Sequence, residues 1–128
     1  MNMRELISRH DWGTKIGPLA AWPARLRVIV DLMLDSVEPM VIWWGRDRIQ
    51  IYNDAYASRV DGRGGSLALG LPAAETWKQG WATIEPLADR VFITGISESY
   101  NDFAFNIERN GRFEEAYWTY SLTPIRIS

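Results

Sequence analysis

A single histidine, no cysteine and sixteen acidic side chains set the chemical repertoire of this 128-residue chain. Without a thiol there is no thiolate nucleophile, no disulfide framework and no zinc–sulfur cluster. One imidazole cannot build a multi-histidine metal site or a Cys–His pair. His10 lies in a polar N-terminal stretch, where a solvated ring is expected. The carboxylates offer little more. Glu114 and Glu115 are neighbours in a strand-like pattern, so they point to opposite faces and cannot act as an acid–base pair. Asp54, Asp89 and Asp102 fall on separate elements with no histidine to orient, and the serines have no accompanying base. The sequence therefore assigns no catalytic residue and no metal ligand, and the domain is read as non-enzymatic.

Charge excludes a further class. Fourteen basic against sixteen acidic residues give a net charge of −2. With no basic block, a surface that tracks phosphates along a nucleic acid is not expected. No apolar run approaches the length of a membrane span, and MNMRELISRHDWG lacks a signal-peptide core. A cytoplasmic location is the default. The length suits one domain with a modest core. Seven tryptophans are the unusual count, and they suggest a core or a cavity lined by aromatic rings.

The elements that must position these residues follow from pattern. Residues 1–22 are polar and read as an extended lead-in. In WPARLRVIVDLMLDSV, Pro23 suits a first helical position. Leu26, Ile29, Val30, Met33 and Val37 recur at helical spacing, with Val28 and Leu32 widening the stripe, which predicts a cap helix over 23–37. So broad an apolar face must cover a sheet, a partner chain or both. Glu38-Pro39 stops this helix. Met40–Trp44 and Ile49–Tyr52 read as a hairpin with both faces apolar, and Asn53 as the N-cap of a short helix. The DGRGGS stretch lacks the lysine of a phosphate-binding loop and reads as a connection. A short helix ends near Trp77. A longer one is capped by Thr83, tolerates Pro86, buries Ile84, Leu87, Ala88 and Val91, and stops at Gly95. Finally, Asn110-Gly111 is the favoured pair for a type I′ turn. It sets Arg109 opposite Arg112, Phe105 opposite Ala116 and Phe103 opposite Trp118, with Tyr120 and Leu122 continuing that face.

Five segments in this order, HDWGTKIGPLAAWPARLR, MVIWWGRDRIQIYNDAY, LGLPAAETW, IEPLADRV and ERNGRFEEAYWTYSLTPIR, resemble the N-terminal PAS module of bacterial sensor histidine kinases, often hybrid kinases. The resemblance covers nearly the whole chain. It implies an α+β fold in which an antiparallel sheet of about five strands cups a cavity beneath its helices, with the PAS core over 38–128 and the final strand missing after TPIR. An unpaired edge there would be left open or filled by another chain. The implied function is sensory: a dimerising module that regulates an attached or partner histidine kinase. Leu26, Ile29, Val30 and Met33 are the candidate dimer residues. The candidate cavity wall is Trp43, Ile51, Trp77, Leu87, Val91, Phe103, Trp118 and Tyr120. These side chains either fill the interior completely or leave room for a ligand. Cysteinyl-flavin chemistry is excluded without Cys, and haem is disfavoured because the long helix carries no His. Non-covalent flavin and a small metabolite remain open. An organic acid would want a cation in the cavity, and Arg90, the nearest, falls on the solvent side of its helix. The alternative from another class is a small metabolite-binding protein or enzyme built around the same aromatic cavity.

Overall fold

A computed structural model of the chain describes residues 2–13, 16–60, 68–109 and 112–125, with 59–60, 79, 102–109 and 112–119 described as backbone only. The Asn110-Gly111 turn and the 61–66 loop lie outside the described residues. Among the described residues the fold is α+β, with five α-helices and two antiparallel sheets of two strands each. The chain divides into two compact units between Thr76 and Trp77. Among the described residues no helix is long and apolar enough to cross a membrane.

The N-terminal unit opens with a helix where an extended lead-in was expected. In α1 (Met3–Arg9), Asn2 accepts a hydrogen bond from the Glu5 N–H through its side-chain oxygen at 2.9 Å, and Met3 and Ile7 are buried one turn apart. The cap removes an orphan donor and the paired apolar residues give the helix a face to bury. Beyond it, Trp12 and Trp22 are both 3% exposed and meet edge to face with ring centres 5.1 Å apart. Each indole N–H is satisfied locally, Trp12 by the Ile7 carbonyl at 3.1 Å and Trp22 by the Gly17 carbonyl at 2.8 Å. Burial of these rings, which local polarity does not reveal, folds the segment back on itself.

Helix α2 (Ala24–Asp35) follows, with Pro23 at the N-cap position, one residue before the expected first helical turn. Leu26, Val30 and Met33 are buried, and α2 lies beside the second strand of the hairpin β1 (Val41–Trp44) and β2 (Ile49–Tyr52). The hairpin register pairs Val41 with Tyr52 and Trp43 with Gln50. Its turn needs a left-handed residue at each end, Gly45 (φ +76°) and Arg48 (φ +54°). All four residues of β2 are buried, Gln50 among them, while in β1, the strand with the unbroken apolar run, only Ile42 is fully buried. The strand's outer edge is also occupied: Gln50 N–H donates to the Leu71 carbonyl and Gly70 N–H to the Gln50 carbonyl. Helix α3 (Asp54–Val60) leaves β2 directly, and α4 (Ala73–Trp77) carries the chain to the boundary.

In the C-terminal unit, α5 runs Trp81–Thr94. Thr83 is therefore inside the helix and not its cap. The 3₁₀ turn Lys78–Gly80 runs straight into α5, with Gly80 already helical (φ −62°, ψ −25°), and the Trp81 indole donates to Glu85 one turn on at 2.9 Å. Pro86 thus sits past the first turn and leaves the Ala82 carbonyl without its helical donor. Gly95 ends the helix at φ +69°, the left-handed residue expected there. Ile84, Ala88 and Val91 are buried and Leu87 is half-buried. The hairpin β3 (Glu98–Arg109) and β4 (Arg112–Leu122) has the predicted register: Arg109 pairs with Arg112, Phe105 with Ala116 and Phe103 with Trp118. A bulge between Tyr100 and Phe103 then sets two residues of β3 against one of β4, so that Tyr100 pairs with Tyr120.

Candidate functional site

Two buried amides organise the N-terminal unit. Asn53 is 1% exposed and uses its whole hydrogen-bonding capacity. Its side-chain oxygen accepts from the Tyr56 N–H at 3.0 Å, as the predicted N-cap, and from the Met40 N–H at 3.1 Å. Its NH₂ donates to the Met33 carbonyl at 2.9 Å and the Glu38 carbonyl at 2.8 Å. One side chain thereby joins the end of α2, the entry to β1 and the start of α3. Beside it, the Asp54 carboxylate accepts from the Met3 N–H at 2.9 Å and ties α1 to the first turn of α3.

Gln50 is the residue that sequence reading missed. It is fully buried, donates through Nε2 to Thr76 Oγ1 at 2.7 Å and lies 3.4 Å from the indole Nε1 of Trp43. A polar residue between Ile49 and Ile51 in a strand covered on both faces was the available signal, because such a strand must satisfy any amide it buries.

The register corrects one part of the predicted cavity wall. Trp43 sits opposite Gln50 and Ile42 opposite Ile51, so Trp43 and Ile51 emerge on opposite faces of the hairpin and cannot line one surface. Ile51 is fully buried; Trp43 is half-buried and engaged by Gln50. The remaining residues belong to the C-terminal unit. Trp77, Leu87 and Tyr120 are half-buried and Val91 is buried. Phe103 and Trp118 are register partners, and their side chains lie outside the described part of the structure. A depression of about 410 Å³ lies elsewhere, in the N-terminal unit between Ser8, His10, Trp12 and Pro18. There His10 is half-buried against the Trp12 ring, 4.4 Å between centres, and not solvated as expected.

The candidate dimer residues need a similar correction. Leu26 and Met33 are fully buried within their own unit and Val30 is 5% exposed; Ile29 is half-buried. Helix α2 spends that face on its own hairpin. Its exposed apolar side chains are Val28 (66%) and Leu32 (68%).

A polar cluster marks the C-terminal unit. Arg90 Nε donates to Glu98 at 2.6 Å and its Nη2 reaches the Tyr100 hydroxyl at 3.1 Å, while the Tyr100 hydroxyl donates to Glu98. The Arg90 hydrogen bond, and then that of Tyr100, pull the Glu98 carboxyl down to about 2; Glu98 in turn raises the Arg90 guanidinium. Tyr100 stacks on Tyr120 with ring centres 5.1 Å apart, a contact the bulge makes. Burial, followed by the neighbouring Tyr100, pushes the Tyr120 hydroxyl up to about 12. Both phenols are therefore neutral at physiological pH. Arg90 is exposed, as its helical position predicted, and already neutralised by Glu98, so it is not an anchor for an organic acid. Among the described residues no three His, Asp or Glu side chains come together as metal ligands. No family model matches this chain, and no curated protein matches it.

Proposed function

We propose that this chain is a PAS-type sensory module without catalysis of its own, working in the cytoplasm to regulate an attached or partner histidine kinase. The observation that carries the reading is the order of elements: cap helix α2, short hairpin, the Asn53-capped helix α3, α4, the long helix α5 and a long hairpin in the predicted register. The sensed molecule is a small metabolite or non-covalent flavin, held against Leu87 and Val91 of α5 and the aromatic residues of the long hairpin. Binding shifts the population between two packings, and the shift is passed to the kinase.

Native mass spectrometry and an absorbance spectrum of freshly purified protein test this reading. A retained small-molecule mass or a flavin spectrum, together with a thermal shift on adding back the released compound, is expected. A colourless protein at its exact apo mass, unshifted by flavins and a metabolite panel, would overturn the ligand. Turnover of a retained compound would replace the sensor with an enzyme.

A further inference from the structure

The depression in the N-terminal unit has an unbalanced hydrogen-bonding inventory. Ser8, His10, Asp11, Trp12, Gly13, Pro18 and Leu19 line it, and its volume is about 410 Å³. Small-molecule sites usually measure about 300–1,000 Å³. Three donors around it are already spent. The Ser8 hydroxyl donates to the Glu5 carbonyl at 2.8 Å, the Trp12 indole to the Ile7 carbonyl at 3.1 Å and the Gly13 N–H to Asp11 Oδ1 at 3.0 Å. The side-chain groups that remain beside them are acceptors. Ser8 Oγ keeps its lone pairs, and the exposed Asp11 carboxylate keeps its second oxygen among the described residues. The imidazole of His10 stands between them as a fixed wall: it packs on the Trp12 ring, and its Nε2 faces Gly70, where a Cβ would collide with it.

Unused acceptors beside a carboxylate call for a ligand that brings donors and positive charge. A metal ion would need more ligands than one carboxylate and one imidazole, and among the described residues no third His, Asp or Glu joins them. A guanidinium is recognised best by two carboxylate oxygens at once, and one of Asp11's is taken by Gly13. An ammonium is a compact charge with three rotatable donors and makes no such demand. We propose that this depression binds a small primary amine as its ammonium ion. One N–H goes to the free oxygen of Asp11, a second to Ser8 Oγ and the third to water, while the aliphatic part lies along Pro18 and Leu19. The site lies wholly in the N-terminal unit, apart from the ligand proposed above for α5 and the long hairpin, and depends on neither.

Proton–nitrogen correlation spectra of the whole chain, titrated with n-butylamine at about pH 8, where an ordinary imidazole is uncharged and an alkylamine is not, test it. The Trp12 indole signal and the backbone signals of Ser8, Asp11 and Gly13 should shift saturably, with a dissociation constant on the order of 1 mM for so small a ligand. Pentanoate, similar in length and opposite in charge, should give no saturable shift. Asp11→Asn should weaken amine binding at least about tenfold; its amide oxygen can still accept from Gly13, so the turn is kept, and the spectrum itself reports folding. Glu5→Gln removes the same charge from a residue outside the depression and should leave the constant within about twofold. Nα-acetyl-lysine methylamide, which carries its ammonium on a peptide backbone, should bind no more tightly than butylamine. No saturable shift, an equal response to pentanoate, or indifference to Asp11→Asn would overturn the inference. Tighter binding of the lysine derivative would overturn the free amine in favour of a protein side chain. None of these results bears on a ligand held by the C-terminal unit, which is read separately by mass.

Discussion

The two units use polar side chains in opposite ways. In the N-terminal unit, Asn53 and Gln50 are neutral amides sealed from water, each spanning segments distant in sequence. In the C-terminal unit, Arg90, Glu98 and Tyr100 form a charged cluster at the surface between the end of one helix and the strand that follows it. A buried amide has no water to return to, so losing it leaves its partners stranded. An exposed ion pair that breaks is rehydrated at little loss. The first arrangement fixes a fold; the second adjusts a surface.

The sharpest way to break this contrast is Asn53→Ala. The Met40 and Tyr56 N–H groups lose their acceptor, and the Met33 and Glu38 carbonyls keep only their contacts with Ser36; denaturant unfolding should show a loss of about 3 kcal/mol. A loss below about 1 kcal/mol would mean that the joint between α2, β1 and α3 does not rest on this residue. Gln50→Leu keeps the volume but removes the amide that donates to the Thr76 hydroxyl and the buried Ala68 carbonyl; a loss of about 2 kcal/mol is expected by the same measurement.

Gly70 probes how tightly the N-terminal segment is held. It adopts φ +78°, and a Cβ placed there would lie 2.3 Å from Nε2 of His10. Gly70→Ala should therefore cost about 2–3 kcal/mol, from left-handed strain plus the clash. In a His10→Ala background the cost should fall to about 1 kcal/mol, the strain alone. Equal costs in both backgrounds would show that the imidazole gives way.

The smallest effect belongs to the exposed cluster. Glu98→Gln should lower the denaturation midpoint at pH 7 only slightly, less than any change above, because the cluster is exposed to solvent. The pH dependence is more telling. Because the folded-state pKa of Glu98 is lowered from 4.5 to about 2, its contribution is complete above pH 4.5 and fades as the pH falls toward 2. Carboxyl carbon NMR should place the midpoint near 2. Arg90→Leu should raise it more than Tyr100→Phe does, in the order of the two causes. An ordinary carboxyl midpoint in the unaltered protein would remove the cluster.

What could be read from residue order differs along the same line. The Asn53 cap, the Gly95 stop and the long-hairpin register are set by neighbours in sequence, and each was legible. Helix α1 was not, although Asn2 followed three residues later by Glu5 is a capping signature, because its stability comes from burying Met3 and Ile7 in a segment that otherwise reads as polar. The start of α5 was misplaced at Thr83, since Pro86 suggested a first turn and the 3₁₀ lead-in left no mark. The buried face of α2 was not legible either: a stripe that broad does not say which side its own hairpin takes. The opposite faces of Trp43 and Ile51 follow from strand parity and were available all along. The bulge that brings Tyr100 to Tyr120 has no glycine or proline to announce it.

The proposed PAS reading requires the aromatic rings of the long hairpin to face α5. Nuclear Overhauser spectroscopy of methyl- and aromatic-labelled protein tests it most directly. The account predicts contacts from the rings of Phe103 and Trp118 to the methyl groups of Leu87 and Val91. Rings that show no such contacts and broaden freely with a soluble paramagnetic probe would contradict it.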